Sequence, residues 1–345
     1  MRLSAQKLFG LLGRMFREGS PYHAQWFLTR RCNYRCRTCS VWREQQEENV
    51  RELETSQVKR GLDVLKRLGV IEIVLSGGNP LLREDIDEII EYASRFFITT
   101  VYDNGSIAAR KVDALRNADF VAISLDSLDE KRNDYLRGVN GAWKKAMNSI
   151  KTLKKEGITV GVAPTISQAN MHEMIDFTNY FIKRGIPVWY ATYSYDSPSQ
   201  KRLFGIGKRS EEFEILDGRK MAELCDALLK MKRKHKGIFM TDKTLVSLRQ
   251  LFAEGHRTWR CKALESFLMI DHLGRVAGCH YYEPVTSIFD LLEMWNSEKF
   301  ESLRNFYSRC SRCTYVCYMF YSLYSNVLGN LEIMFDQAKN TMLLA

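Results

Sequence analysis

Cys32-Asn33-Tyr34-Arg35-Cys36-Arg37-Thr38-Cys39 puts three thiols within eight residues, directly after the apolar run Trp26-Phe27-Leu28. Structural zinc takes four ligands and an iron-sulfur cube normally takes four thiolates, so three in one tight loop leave one corner for another ligand. An iron with a free position can chelate an amino and a carboxylate group together. A zinc loop or a set of buried thiols is the bland alternative. A short three-thiol loop serves either poorly, being one ligand short of zinc and a costly way to bury cysteine.

Downstream of the loop, helical and extended patterns alternate. Thr55 to Leu68 carries Val58, Leu62, Leu65 and Leu68 on one face, and Val70 to Leu75 reads as a buried strand ending in Ser76-Gly77-Gly78-Asn79-Pro80. Four more units follow: helix Glu84 to Phe96 and strand Phe97 to Tyr102; helix Ala108 to Ala118 and strand Phe120 to Leu125; helix Ala142 to Glu156 and strand Ile158 to Ile166; helix Met171 to Arg184 and strand Val188 to Tyr195. Short glycine-punctuated links between such units predict parallel strands with helices outside, and right-handed crossovers curl six of them into an open barrel. The fold class is therefore α/β: a partial (β/α)6 barrel of parallel strands over 23–217, with a small cysteine-rich C-terminal extension. Residues 218–244 read as a linking helix, and 245–345 as the extension and a C-terminal helix. Sites in such folds gather at the carboxyl ends of the strands.

Ahead of the barrel, residues 1–22 hold an amphipathic pattern, Leu8, Leu11, Leu12, Met15 and Phe16, beside Arg2, Lys7, Arg14 and Arg17. Such a helix either covers the end of its own domain or lies on an anionic membrane surface. The formal charge of +10 and a pI near 9.1 suit acidic partners, yet Lys and Arg are scattered over helix faces and no sequence-specific nucleic-acid motif is present. Nine cysteines, two clusters of them at metal-ligand spacing and no signal peptide ahead, fit a reducing cytoplasm, with peripheral membrane attachment through the first helix as the variant. No run is long and apolar enough to span a bilayer.

Polar residues recur where the strands end. Ser124-Leu125-Asp126-Ser127 places two short polar side chains on one face, Asn104 follows the third strand, Asn170 the fifth, and Arg137-Gly138 closes the next helix. Turn formation and capping are the ordinary readings of Asn104, Asn170, Asp126 and Ser127. Near the C-terminus, Cys261, Gly274 and Cys279 frame a hairpin with arms Phe267 to Asp271 and Arg275 to Ala277, and Cys310, Cys313 and Cys317 follow. By spacing alone, these five cysteines fit a four-cysteine zinc site.

Cys-x3-Cys-x2-Cys at the exit of a first strand, the Gly-Gly turn after the second, the Ser-Leu-Asp segment and the C-terminal cysteines together resemble the radical S-adenosylmethionine superfamily with a twitch or SPASM-like extension. The resemblance spans about Phe27 to Cys317. It implies a 4Fe-4S cluster on Cys32, Cys36 and Cys39, whose open iron chelates S-adenosylmethionine. Residues at the cofactor-contacting positions are Tyr34, Thr38, Gly77, Gly78, Asn79, Asn104, Ser124, Asp126 and Arg137. Two depart from the usual pattern: Asn79 stands where a glutamate is common, and Thr38 where an aromatic is, with Tyr34 and Trp42 available as an apolar wall. The extension implies an auxiliary 4Fe-4S cluster on Cys261, Cys279 and Cys310, with Cys313 or Cys317 as fourth ligand.

The resemblance implies reductive cleavage of S-adenosylmethionine to a deoxyadenosyl radical, fed by an external flavodoxin- or ferredoxin-like donor, and hydrogen abstraction from an unactivated carbon. A small-molecule or lipid-like substrate is expected from the amphipathic start and the aromatic run Tyr318-Met319-Phe320-Tyr321. A peptide-modifying maturase is the alternative, disfavoured because residues 1–22 leave no room for a leader-binding domain ahead of the barrel. A non-catalytic zinc or nucleic-acid-binding protein is the third reading, and it would bind no S-adenosylmethionine.

Overall fold

The computed structural model describes residues 13, 19–44, 51–195, 209–311 and 314–341. The amphipathic helix, most of the 196–217 loop and Cys313 lie outside them. Among the described residues no helix is long and apolar enough to cross a membrane.

The barrel half follows the alternating pattern. Strand β1 (His23–Thr29) leads through the cysteine loop to helix α1 (Thr55–Leu68), β2 (Glu72–Gly77), α2 (Ile86–Ser94), β3 (Ile98–Asp103), β4 (Phe120–Ile123), α3 (Glu130–Arg137), α4 (Ala142–Lys155) and β5 (Val160–Val162). Then come β6 (Thr165–Ile166), α5 (Met174–Ile182), β7 (Ala191–Thr192), α6 (Gly218–Lys234) and α7 (Asp242–Glu254). The C-terminal part adds β8 (Phe267–Ile270), β9 (Arg275–Ala277), β10 (Thr286–Ser287), α8 (Glu298–Ser308), α9 (Val316–Leu323) and α10 (Val327–Thr341). Helix α1 has the predicted bounds because both ends are marked: Glu54 and Gln57 form a reciprocal capping box, and Gly69 closes the helix in the left-handed region.

Three elements differ from the sequence reading, the first being the predicted strand Val188 to Tyr195, of which only Ala191–Thr192 is strand while Val188 makes isolated bridges. The predicted strand Ile158 to Ile166 is broken: β5 pairs with β4, and after Ala163 and Pro164 the chain restarts as β6 and pairs with β7 in a separate two-stranded sheet. Pro164 has no N–H to give to a ladder, so the pairing changes partners there. The predicted helix Ala108 to Ala118 is a 3₁₀ turn and a four-residue helix, because Lys111 between them leaves helical geometry at φ −115°, ψ 31°.

The main sheet has eight strands in the order β10-β9-β8-β1-β2-β3-β4-β5. Strand β8 lies parallel to β1, so the cysteine-rich part extends the barrel sheet rather than standing beside it. The registers His23↔Glu72, Gln25↔Val74 and Thr100↔Phe120 put His23, Gln25, Phe27, Val74, Ser76, Thr100, Tyr102 and Ser124 on one face. Ala24, Trp26, Ile73, Leu75, Val101 and Ile123 take the other face and are fully buried against the helices. The first face is the concave one. Helix α9 lies against it, with Tyr318 stacked on Phe267 at 4.9 Å and Tyr321 stacked on His23 at 3.9 Å. The Tyr321 hydroxyl also bonds Glu72, tying the end of α9 to the starts of β1 and β2.

Candidate active site

Thr29, Gly77, Asp103 and Ile123 end β1 to β4 at the same edge of the sheet, and the loop bearing Cys32, Cys36 and Cys39 crosses that edge. The loop turns at Cys36 to Cys39, where the Cys39 N–H donates to the Cys36 carbonyl at 3.2 Å. Helix α3 docks on it from outside. Gly138 caps that helix at φ 65°, a Cβ there would stand 2.0 Å from the Arg35 carbonyl, and the Arg37 N–H donates to the Leu136 carbonyl at 2.9 Å. Gly78 does the same on the other side: its N–H donates to Thr29, and a Cβ would stand 2.3 Å from the Arg31 carbonyl. The two glycines thus let neighbouring elements press against the cysteine loop itself.

The thiols lie close enough that Cys36 disfavours ionisation of Cys32 and Cys39, and Cys32 that of Cys39. Burial pushes Cys32 up to about 11 and Cys39 up to about 12, the Cys36 charge adding to both. Burial also raises Cys36, against the pull of Arg137, whose Nη1 lies 3.9 Å from the Cys36 sulfur. Metal ligands must shed these protons, so loading iron here releases acid. Among the described residues no three His, Cys, Asp or Glu side chains close on a single-ion site.

Arg137 supplies the test of what fits beside the thiols. It is 9% exposed, its Nε stands 2.9 Å from the Asp126 carboxylate without hydrogen-bond alignment, and its Nη2 is buried with no partner among the described residues. A buried guanidinium donor without an acceptor fits a carboxylate-bearing ligand. Asp126 is fully engaged by the chain: one oxygen accepts from the Thr165 N–H at 2.8 Å, the other faces Arg137, and burial raises its pKa. Its place in the site is behind Arg137.

Asn79 is completely buried in an amide mesh. Its carbonyl caps the Leu81 N–H at 3.0 Å, and its NH2 donates to Asn104 at 3.1 Å. Asn104 in turn donates to Asn33 at 2.8 Å and touches the Cys32 sulfur. Asn33 and Ser106 complete the mesh at 2.8 Å; the sequence reading had singled out neither. Tyr34 is buried, its hydroxyl without a partner among the described residues, and Trp42 holds the loop through the Cys36 carbonyl at 3.1 Å. Thr38 sits in the loop's turn, half-buried, and Ser124 stands half-buried on the concave face. Asn170 is spent on Asp126, Thr165 and Ser167, the work of a turn former. Arg83, buried at the mouth, clamps Leu28, Leu53 and Asp85, another residue that nothing in its local sequence marks.

Cys261, Cys279 and Cys310 form the second group: burial pushes Cys261 up to about 11 and raises Cys279, the Cys310 charge adding to both and the Cys261 charge to Cys279. The Tyr281 N–H lies 3.4 Å from the Cys279 sulfur, and the Tyr282 hydroxyl 3.8 Å from that of Cys310. Cys317 is elsewhere. Burial raises it, to about 12, no other cysteine among the described residues acts on it, and the group it perturbs is Tyr102 on the concave face of β3.

The radical SAM superfamily model matches residues 26–181 and the SPASM iron-sulfur cluster-binding model residues 261–314. An AdoMet-dependent heme synthase of Oleidesulfovibrio alaskensis is 26% identical over 290 residues, covering 78% of this chain and 73% of that protein. The antilisterial bacteriocin subtilosin biosynthesis protein AlbA of Bacillus subtilis is 30% identical over 161 residues, 45% of this chain and 36% of that one. The structure of Streptococcus suis SuiB bound to S-adenosylmethionine superposes with a TM-score of 0.67 at 18% identity, over 90% of this chain and 72% of SuiB. The chain belongs to the radical SAM superfamily, an enzyme of S-adenosylmethionine and a 4Fe-4S cluster with an auxiliary 4Fe-4S cluster in the SPASM domain behind its barrel.

Proposed function

We propose that this enzyme abstracts hydrogen from an unactivated carbon of a small-molecule or lipid-like substrate held against the concave face of the sheet. The supporting observation is the gathering of three thiols in one loop beside Arg137, whose Nη2 has no partner among the described residues, at the carboxyl ends of the strands. Cys32, Cys36 and Cys39 would hold the cluster, which when bound would supply the electron for cleavage of S-adenosylmethionine, received from an external flavodoxin- or ferredoxin-like donor. Arg137 takes the carboxylate of the methionine moiety and Asp126 holds Arg137 in place. The mesh of Asn33, Asn79 and Asn104 fixes the loop, and Tyr34 with Trp42 excludes water from one side of it. Gln25, Tyr102 and Ser124 lie half-buried on the concave face, where the substrate would rest.

For the substrate class, the heme synthase relative aligns with most of both chains, whereas AlbA aligns with under half of each. AlbA supports a second reading, a peptide maturase. Anaerobically reconstituted protein is expected to hold about two 4Fe-4S clusters and, with dithionite and S-adenosylmethionine, to yield deoxyadenosine without added substrate. Changing Cys32, Cys36 and Cys39 together to Ala should leave one cluster and no cleavage. Stoichiometric zinc without iron rejects the reading. Deuterium carried into deoxyadenosine from a labelled small molecule rather than a labelled peptide decides between the substrate classes.

A further inference from the structure

Beyond the barrel, a groove of about 380 Å³ opens on the protein surface beside Cys310, lined by Tyr282, Ser302, Asn305, Phe306, Arg309 and Cys310. Its wall is a rigid aromatic group. Phe306 meets Tyr282 edge-on at 5.0 Å and Tyr307 at 5.6 Å, and Tyr282 meets Tyr307 at 5.5 Å. Phe306 nonetheless keeps half its surface in solvent, while Tyr307 is buried. Tyr282 spans the depth of the wall: its ring lines the groove and its hydroxyl reaches the Cys310 sulfur at 3.8 Å. Cys310 itself lines the groove beside that ring, so a thiol of the auxiliary group lies at the groove's surface.

The charge of the groove is of one sign. Arg309 is the charged residue among those lining it, and Arg257 stands behind, donating to the Cys310 carbonyl. A small exposed apolar surface with a positive rim, in a chain of net charge +10, suits a brief encounter with an acidic protein. We propose that this groove is the docking place of an acidic one-electron carrier protein that exchanges electrons with the auxiliary cluster. The inference rests on Cys310 being an auxiliary ligand. One electron crosses: the carrier is oxidised by one and the cluster reduced by one, or the reverse, and no bond forms or breaks. The Tyr282 hydroxyl, donating to a ligand sulfur, stabilises the reduced state.

The experiment follows auxiliary-cluster reduction in the anaerobic holoenzyme by stopped flow, with reduced flavodoxin as one reductant and dithionite as the other. In Arg309→Glu and in Phe306→Ser, the bimolecular rate with flavodoxin should fall by roughly tenfold, with the dithionite rate and the iron content unchanged. The wild-type rate with flavodoxin should fall as salt rises, and that of Arg309→Glu should be nearly flat. Flavodoxin rates equal to wild type in both iron-replete variants overturn the proposal, as does a loss shared equally with dithionite. A Cys310→Ala protein that still holds two clusters refutes instead the ligand assignment beneath it.

Discussion

Arg137 is a fully charged side chain held between Asp126 and Cys36 with one donor nitrogen left over. Burying a cation costs free energy unless its donors are satisfied, so the spare Nη2 is matched to an anion that arrives with the ligand. Arg137→Lys keeps the charge and loses the fork. S-adenosylmethionine affinity should drop by about 2 kcal/mol, roughly thirtyfold, in equilibrium dialysis, with the iron content retained. An unchanged dissociation constant would remove Arg137 from the ligand's contacts. The cysteine trio was legible because its members share one loop, and Arg137 through the Arg-Gly pair. Asn79 was legible as a position but not as a role. Its carbonyl is turned to Leu81 and its amide to Asn104, and the mesh joins Asn33 to Ser106 across 73 positions, a closeness that only the parallel strands create.

Among the elements, α9 is the one that periodicity described least. The sequence left Cys313 and Cys317 as equal fourth ligands, since both follow Cys310 closely. The structure hangs the start of α9 on the second sheet: Thr192 bonds the Thr314 carbonyl, and Ser194 meets the Thr314 hydroxyl at 2.9 Å. Cys317, the second residue of the helix, then stands at the concave face beside Tyr102. Cys317→Ala should therefore keep about eight iron atoms per chain, and Cys310→Ala should fall toward four, by iron and sulfide assay. A one-cluster Cys317→Ala protein would return Cys317 to the ligand set. Helices marked at both ends, such as α1, were readable to the residue. Strand β5 was not, because one proline exchanged its partner.

Across the whole molecule, the pairing of β8 with β1 changes what the cysteine-rich part is. Sequence patterning read a hairpin there correctly but could not place it, because a hairpin's arms specify each other and not a third strand 244 residues away, the separation of His23 from Phe267. A chain ended after Gly255 should go to the pellet on expression while the full chain stays soluble, since β1 would present an unpaired and largely apolar rim. Soluble, monomeric fragment in the supernatant would mean that the rim is tolerated. The same pairing sets an order in time. At 5 to 20 residues per second, β1 leaves the ribosome on the order of 10 to 50 s before the strand that seals it exists. Strand β1, made early, waits for a partner made late, so the enzyme's yield in a cell depends on what guards that strand during synthesis.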